Sequence, residues 1–499
     1  TKNIRASAMG HAAQADNPYF YSGWSVTDEA NLHTRPFRSY WAASLLWTAN
    51  STTILDLRAG GLYFKWKGDT TEAGDPDSPS FTDAYTQYTW GNTSQGAASH
   101  VYTFKPSINI SLTATKYVDS FLGGDHEFKV GVDWERLRGE WGFYASRPLT
   151  WTYYDGSPYY YRALNNGVTD PVYGDGRLTY AAMGTTEGSS AQIGLTSRIG
   201  AFLQDSFTLK RLTINLGLRA DYLRAWSPGR AKGAATDPLA LALGATYFEP
   251  IYGVNPYGSV AYDTWDNAFP YNMFLSPRIG LTYNLFGDGR TALKVSFSRQ
   301  QEGFFTNHFA SMYPLTNRSF TWNWWDDNNN GIPDLPGVDR YKEALGATPL
   351  AMISTAYLDA IDPDAKIPYI DELTASIEHE LVKDVRVAVR YFHKDRKNIL
   401  ASVLWDKPTD RYWYTYDGAP DWWVPFTTTI PAYGSFPAKE VTMYFQSPNA
   451  PAQLSRLTNV PEAKYQYRSV EVSLDKRMSN GWQLGGSVNL TKLTGNYPI

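Results

Sequence analysis

The chain has 499 residues, a formal net charge of −4 and no cysteine. The missing cysteines exclude a disulfide framework, a zinc–thiolate centre and a cysteine nucleophile, and the near-neutral charge carries no bulk basic signal for nucleic acid. Aromatic residues make up 15% of the chain, with 36 Tyr and 18 Trp, against 19% charged residues; such side chains favour sites where an apolar medium meets water, and both a membrane protein and a secreted carbohydrate-binding β protein fit that bias.

No run of about 18 apolar residues, the length a transmembrane helix needs, is present. Mean hydropathy is −0.41, which suits a soluble chain or a transmembrane barrel, where only alternate residues meet lipid. The first residues, TKNIRASAMGHAAQ, lack the apolar core of a signal peptide and read as a processed chain or a fragment. Beyond them, period-two alternation predicts about twelve strands, near 39–47, 53–64, 108–118, 126–135, 193–208, 212–222, 275–285, 291–299, 373–381, 385–394, 465–476 and 482–491. In 212–222, for instance, Leu212, Ile214, Leu216 and Leu218 share one face and Thr213, Asn215, Arg219 and Asp221 the other. Most runs reach the nine or so residues that a tilted membrane strand requires.

The connections alternate in length. Tight turns are expected around Asn50, 123–125, 210–211, 287–289, 383–384 and 479–481, where Gly, Asn and Asp supply positive φ. Long loops are expected at about 65–107, 139–191, 224–273, 301–370 and 401–464. This pattern predicts an all-β fold: a transmembrane antiparallel up-and-down β-barrel with short periplasmic turns and long extracellular loops. Arg278, Lys294, Glu378, Arg386, Arg390, Glu471 and Asp475 then line the lumen. An Arg or Lys turned to lipid near the midplane would cost about 2–4 kcal/mol, and a one-residue slip would exchange the two faces.

Five segments resemble hairpins of TonB-dependent transporters of the Oar-like group: YVDSFLGGDHEFKVGVDWER (117–136), SRIGAFLQDSFTLKRLTINLGLRADYL (197–223), LSPRIGLTYNLFGDGRTALKVSFSR (275–299), YIDELTASIEHELVKDVRVAVRYFHKDRKNIL (369–400) and YRSVEVSLDKRMSNGWQLGGSVNLTK (467–492). The resemblance implies a 22-stranded barrel around an N-terminal plug, in the bacterial outer membrane, energised by an inner-membrane TonB complex through a TonB box. Neither plug nor TonB box is recognisable in residues 1–499, so the expectation is a partial chain of such a barrel.

Candidate sites lie in the loops. Asp326, Asn328, Asn330, the Ile332 carbonyl and Asp334 present oxygens at the spacing of a calcium loop, with Gly331 permitting the bend. The run resembles thrombospondin type 3 calcium loops; Gly337 at the twelfth position supplies no bidentate Glu, and a plain polar turn is the alternative reading. A structural Ca²⁺ bracing the loop is the expectation. Trp322, Trp324, Trp325, Trp413, Trp422 and Trp423, together with Trp405, Tyr414 and residues 159–161, are candidates to stack on an external ligand or else to pack the loops together. No catalytic motif accompanies them: His126, His308, His379 and His393 show no H-E-x-x-H spacing, and neither a G-x-S-x-G elbow nor a P-loop occurs. The expected function is uptake of a bulky external ligand across the outer membrane, with outer-membrane lipid, a TonB complex and an unknown ligand as partners. A passive porin and a surface or scaffolding barrel are the rivals.

Overall fold

The computed structural model describes residues 3–20, 26–75, 80–83, 86–91, 100–144, 149–153, 176–181, 191–234, 258–270, 273–303, 306–310, 312, 319–324, 351–353, 361–406, 410–413, 423–432, 434, 437–446, 454–461 and 463–496, with isolated positions 241, 245, 249 and 255. Long strands dominate: β1 (Ile4–Gln14), β2 (Phe37–Asn50), β3 (Thr53–Thr70), β4 (Ser107–Phe121), β5 (Gly124–Tyr144), β6 (Gln192–Leu209), β7 (Leu212–Trp226), β8 (Phe274–Asn284), β9 (Thr291–Gln301), β10 (Tyr369–Val382), β11 (Val385–Lys397), β12 (Tyr465–Ser479) and β13 (Trp482–Gly495). Twelve of these coincide with the alternating runs in the sequence. β1 does not: its residues Ile4, Ala6, Ala8, Gly10 and Ala12 differ too little in hydropathy from Arg5, Ser7, Met9 and His11 to stand out, and it is revealed by its full antiparallel register with β2.

The chain divides into two compact units: 1–206, 218–275 and 304–358 form the first, and 207–217, 276–303 and 359–499 the second. In the first, β1 to β6 are hydrogen-bonded neighbours in sequence order. One cross-strand row runs Ala6–Leu45–Leu57–Leu112–Val132, and the adjacent row runs Ser7–Ser44–Arg58–Ser111–Asp133. In the second, β8 to β13 are antiparallel neighbours. Its rows are Leu281–Val295–Ala375–Tyr391–Val470–Leu490 and Thr282–Lys294–Ser376–Arg390–Glu471–Asn489. Each sheet thus has an apolar and a polar face, as strand pleating demands.

The apolar faces are not buried. Leu216, Val295 and Val472 are 51%, 45% and 46% exposed, respectively, whereas a soluble sandwich would inter them between sheets. Instead, burial concentrates near the strand ends and in the segments that join them, where Leu32, Tyr102, Ala225, Phe269 and Phe309 are all but inaccessible.

The tight connections fall where expected. Leu122, Lys210, Asp384 and Asn480 take positive φ, as do Gly123, Gly287 and Gly481. The expected long loops are not without structure. In the first unit they carry a six-stranded sheet built from Ser80–Asp83, Thr89–Gly91, Leu149–Tyr153, Gly176–Ala181, Ser319–Trp324 and Ala351–Ile353. In the second, Leu400–Asp406, Arg411–Trp413 and Leu454–Asn459 make a three-stranded sheet, and Trp423–Ile430 pairs with Lys439–Gln446. Loop edges also move: β3 continues to Thr70 and β5 to Tyr144, past the turn-off points read from the sequence.

Candidate functional site

The polar face of the second unit is a ladder of paired charges. Register sets Arg386 opposite Asp475 and Arg390 opposite Glu471, at N–O distances of 3.2 and 2.7 Å. Glu378 on the neighbouring β10 takes Lys294 at 3.0 Å and both arginines at 3.4 Å. Six of the seven residues assigned to the lumen row from alternation therefore form one network; Arg278 stands on the same sheet, in register with Ser298.

The first unit has an equivalent cluster. Arg219 on β7 donates to both carboxylate oxygens of Asp133 on β5 at 2.6 and 2.7 Å, and to Asp221 two residues along its own strand at 2.6–3.0 Å. Arg198 on β6 reaches Glu135 at 3.1 Å and Asp221 at 3.6 Å. The guanidinium occupies space that a side chain at position 200 would fill, since a Cβ on Gly200 would lie 2.0 Å from Arg219 Nη2. Alternation marked Asp133, Glu135, Arg219 and Asp221 as polar, but their pairing depends on strand neighbours.

Above these charges, part of a loop lies against the polar face. Thr306 sits over two glycines: a Cβ on Gly139 would be 2.0 Å from its Oγ1, and one on Gly194 would be 2.8 Å from its carbonyl oxygen. The short helix Asn307–Ala310 follows, with Phe309 fully buried and edge-on to Trp265 at 6.5 Å. Leu223, Ala225, Ala268 and Phe269, all at most 6% exposed, lie in this unit, and Ala268 donates its N–H to the Ala225 carbonyl at 2.9 Å. Nothing in the sequence flags this strap, because a single threonine and two glycines carry it.

The aromatic candidates are divided among separate loop sheets. Trp322 and Trp324 belong to Ser319–Trp324, in the first unit's six-stranded sheet; by register, position 322 is in line with Leu178, Trp151, Phe81 and Trp90. The Phe81 and Trp90 rings in that row stack at 5.6 Å and 14°. Trp413 and Trp423 belong to the second unit, on Arg411–Trp413 and Trp423–Ile430. Trp325, Trp422, Tyr414 and residues 159–161 lie outside the described residues, as do Asp326, Asn328, Asn330, Ile332 and Asp334 of the calcium motif. Trp405 is 3% exposed. Its indole N–H donates to Asp410 at 2.9 Å, Arg456 sits over its ring at 4.1 Å, and the same arginine reaches Asp410 at 3.0 Å and the Tyr412 hydroxyl at 2.8 Å. That tryptophan packs a loop. Burial, with the charge of Asp362, raises the Tyr412 phenol above its ordinary value.

Among the described residues no cluster of His, Asp and Glu has metal-binding geometry. His379 and His393 stand in β10 and β11, as alternation placed them; His379 bonds Thr291 Oγ1 at 2.8 Å, and His126 is bound between Asp205 at 2.8 Å and the Phe121 carbonyl at 3.1 Å.

The chain is 23% identical over 398 residues to the TonB-dependent transporter Oar of Myxococcus xanthus, a match covering 75% of this chain and 30% of that protein. It aligns with the outer membrane transporter YddB from Escherichia coli at a TM-score of 0.54 and 9% identity, over 99% of this chain and 46% of that one. The chain thus spans less than half the length of these relatives. A family model described as an outer membrane beta barrel domain matches residues 3–497. In such barrels the apolar row meets lipid and the polar row faces inward, which is the division seen in both units. This chain belongs to the outer-membrane β-barrel family and resides in the bacterial outer membrane.

Proposed function

We propose that the chain is the barrel portion of a TonB-dependent transporter or receptor that takes up a bulky external ligand. The observation that carries this reading is the similarity to Oar across three-quarters of the chain. Two structural features agree with it. The inward face is furnished with paired charges, a surface suited to holding a polar partner inside the barrel. The loops form sheets of their own, which offer a ligand more preformed surface than flexible tails would. The function assigned is binding and passage, with no catalytic step. To test it, a deletion strain is complemented with the full-length gene, in TonB-proficient and TonB-deficient backgrounds, and the growth medium is profiled. Depletion of a compound only in the TonB-proficient complemented strain is expected. Depletion without TonB would mean a passive porin, and no depletion in either would mean a surface or scaffolding protein.

We also propose that Asp326, Asn328, Asn330, the Ile332 carbonyl and Asp334 hold one structural Ca²⁺, on the spacing of their oxygens. In the full-length protein, Ca²⁺ should slow proteolysis within 326–334, and Asp326→Ala with Asp334→Ala should abolish that protection. Equal cleavage with Ca²⁺ and with chelator would refute the site.

A further inference from the structure

On β11, β12 and β13 the lipid-facing rows, taken from the tight turns towards the loops, are Val387–Leu474–Gly486, Val389–Val472–Val488 and Tyr391–Val470–Leu490. The next row is His393–Arg468–Lys492. Register therefore sets three basic residues side by side on three strands, with neighbouring Cα atoms about 5 Å apart. They stand on the same outward face as Leu490, which is 71% exposed, at the point where the apolar band stops.

The charges nearby cancel, and this row does not. One step closer to the loops, Asp371 holds Arg299 at 2.8 Å and Asp395 holds Lys397 at 2.6 Å. On the inward face of the same strands, Arg386 and Arg390 are matched by Asp475 and Glu471. The row His393–Arg468–Lys492 contains no acid. Arg468 donates from Nη2 to Gln466 Oε1 at 3.5 Å, and among the described residues neither it nor the Lys492 ammonium has a carboxylate within ion-pairing reach. Both are exposed. Beside hydrocarbon the effective dielectric is lower than in water, so an uncompensated cation gains more from an anion there. The anions available at that level are the headgroups that border the hydrocarbon core.

We propose that Arg468 and Lys492, with His393 beside them, bind the phosphate of an anionic lipid in the outer leaflet, whose acyl chains lie over Tyr391, Val470 and Leu490. A guanidinium and an ammonium suit a phosphate because both donate hydrogen bonds as well as carrying charge. The inference rests on residence in the membrane and not on transport, so it stands or falls separately from the receptor reading.

The test is native mass spectrometry of the full-length protein in a neutral detergent. Phosphatidylglycerol is the probe, phosphatidylcholine carries the same phosphate with its charge cancelled, and diacylglycerol has no phosphate. Phosphatidylglycerol should be bound in preference to both. A Lys or Arg beside a lipid surface contributes roughly five-fold to affinity for an anionic headgroup, so Arg468→Gln and Lys492→Gln should each weaken binding by about that factor. The double variant should bind phosphatidylglycerol no better than phosphatidylcholine, and Arg468→Lys should keep most of the preference. Lys397→Gln, which removes a cation already held by Asp395, should leave it intact. Since Arg468 and Lys492 are exposed, their variants should keep the wild-type melting curve in micelles. Equal binding of the two phospholipids by the wild type, an unchanged double variant, or an equal loss on Lys397→Gln would each overturn the proposal.

Discussion

At the scale of single residues, the polar faces show how a barrel carries many charges cheaply. Glu378 touches three cations, two of which also hold a second carboxylate. Pairing of this kind at half-exposed sites is worth little per pair, because water screens it. Removing the shared anion is another matter, since it leaves Lys294, Arg386 and Arg390 crowded on adjacent strands. Glu378→Ala should therefore cost about 1–2 kcal/mol and lower the apparent Tm by a few degrees in micelles. Arg278→Ala, on the same face but outside the network, should change it much less; equal shifts for the two would refute a shared role for Glu378. At the end of β7 the same chemistry appears locally: the hydrogen bond from Arg224 holds the carboxyl of Asp266, in the segment that follows the strand, below its ordinary range. Because that folded-state value is depressed, its small stabilising contribution is present at neutral pH and is lost as pH falls through it.

At the scale of elements, strand alternation and turn chemistry were legible in advance, and long-range docking was not. Leu293, Val295 and Phe297 against Lys294, Ser296 and Ser298 announce β9 without reference to any neighbour. β1 is not legible in the sequence because alanine, glycine and serine leave both of its rows nearly alike, so its partner β2 has to reveal it. The strap at Thr306 was illegible for a different reason: its fit to Gly139 and Gly194 is a contact of shape between segments far apart in the chain. It yields a sharp expectation. Because the chain has no cysteine, Ala310→Cys introduces a unique thiol at a position 3% exposed. Maleimide should label it slowly in the otherwise wild-type protein and at least ten-fold faster when Gly139→Val fills the notch. Equal rates would show that the strap does not depend on that seat.

At the scale of the whole molecule, the apolar rows decide the class of protein. Large exposed apolar surfaces are unusual on soluble proteins and mark a membrane or a partner; here they recur on strand after strand, from Leu45, Leu57 and Leu112 in one unit to Val295, Val470 and Leu490 in the other. That outcome was contained in the sequence, because which residues alternate is a local property and a backbone in lipid must pair all its groups in helices or closed sheets. The polar row, the tight turns and the membership of the outer-membrane barrel family follow from the same local code. What the sequence could not specify was which charges meet, which tryptophans share a sheet, and that His393, Arg468 and Lys492 stand in one row. Those are decided by register between strands and by loops folding back on them, and register is a relation between distant segments that no window of sequence contains.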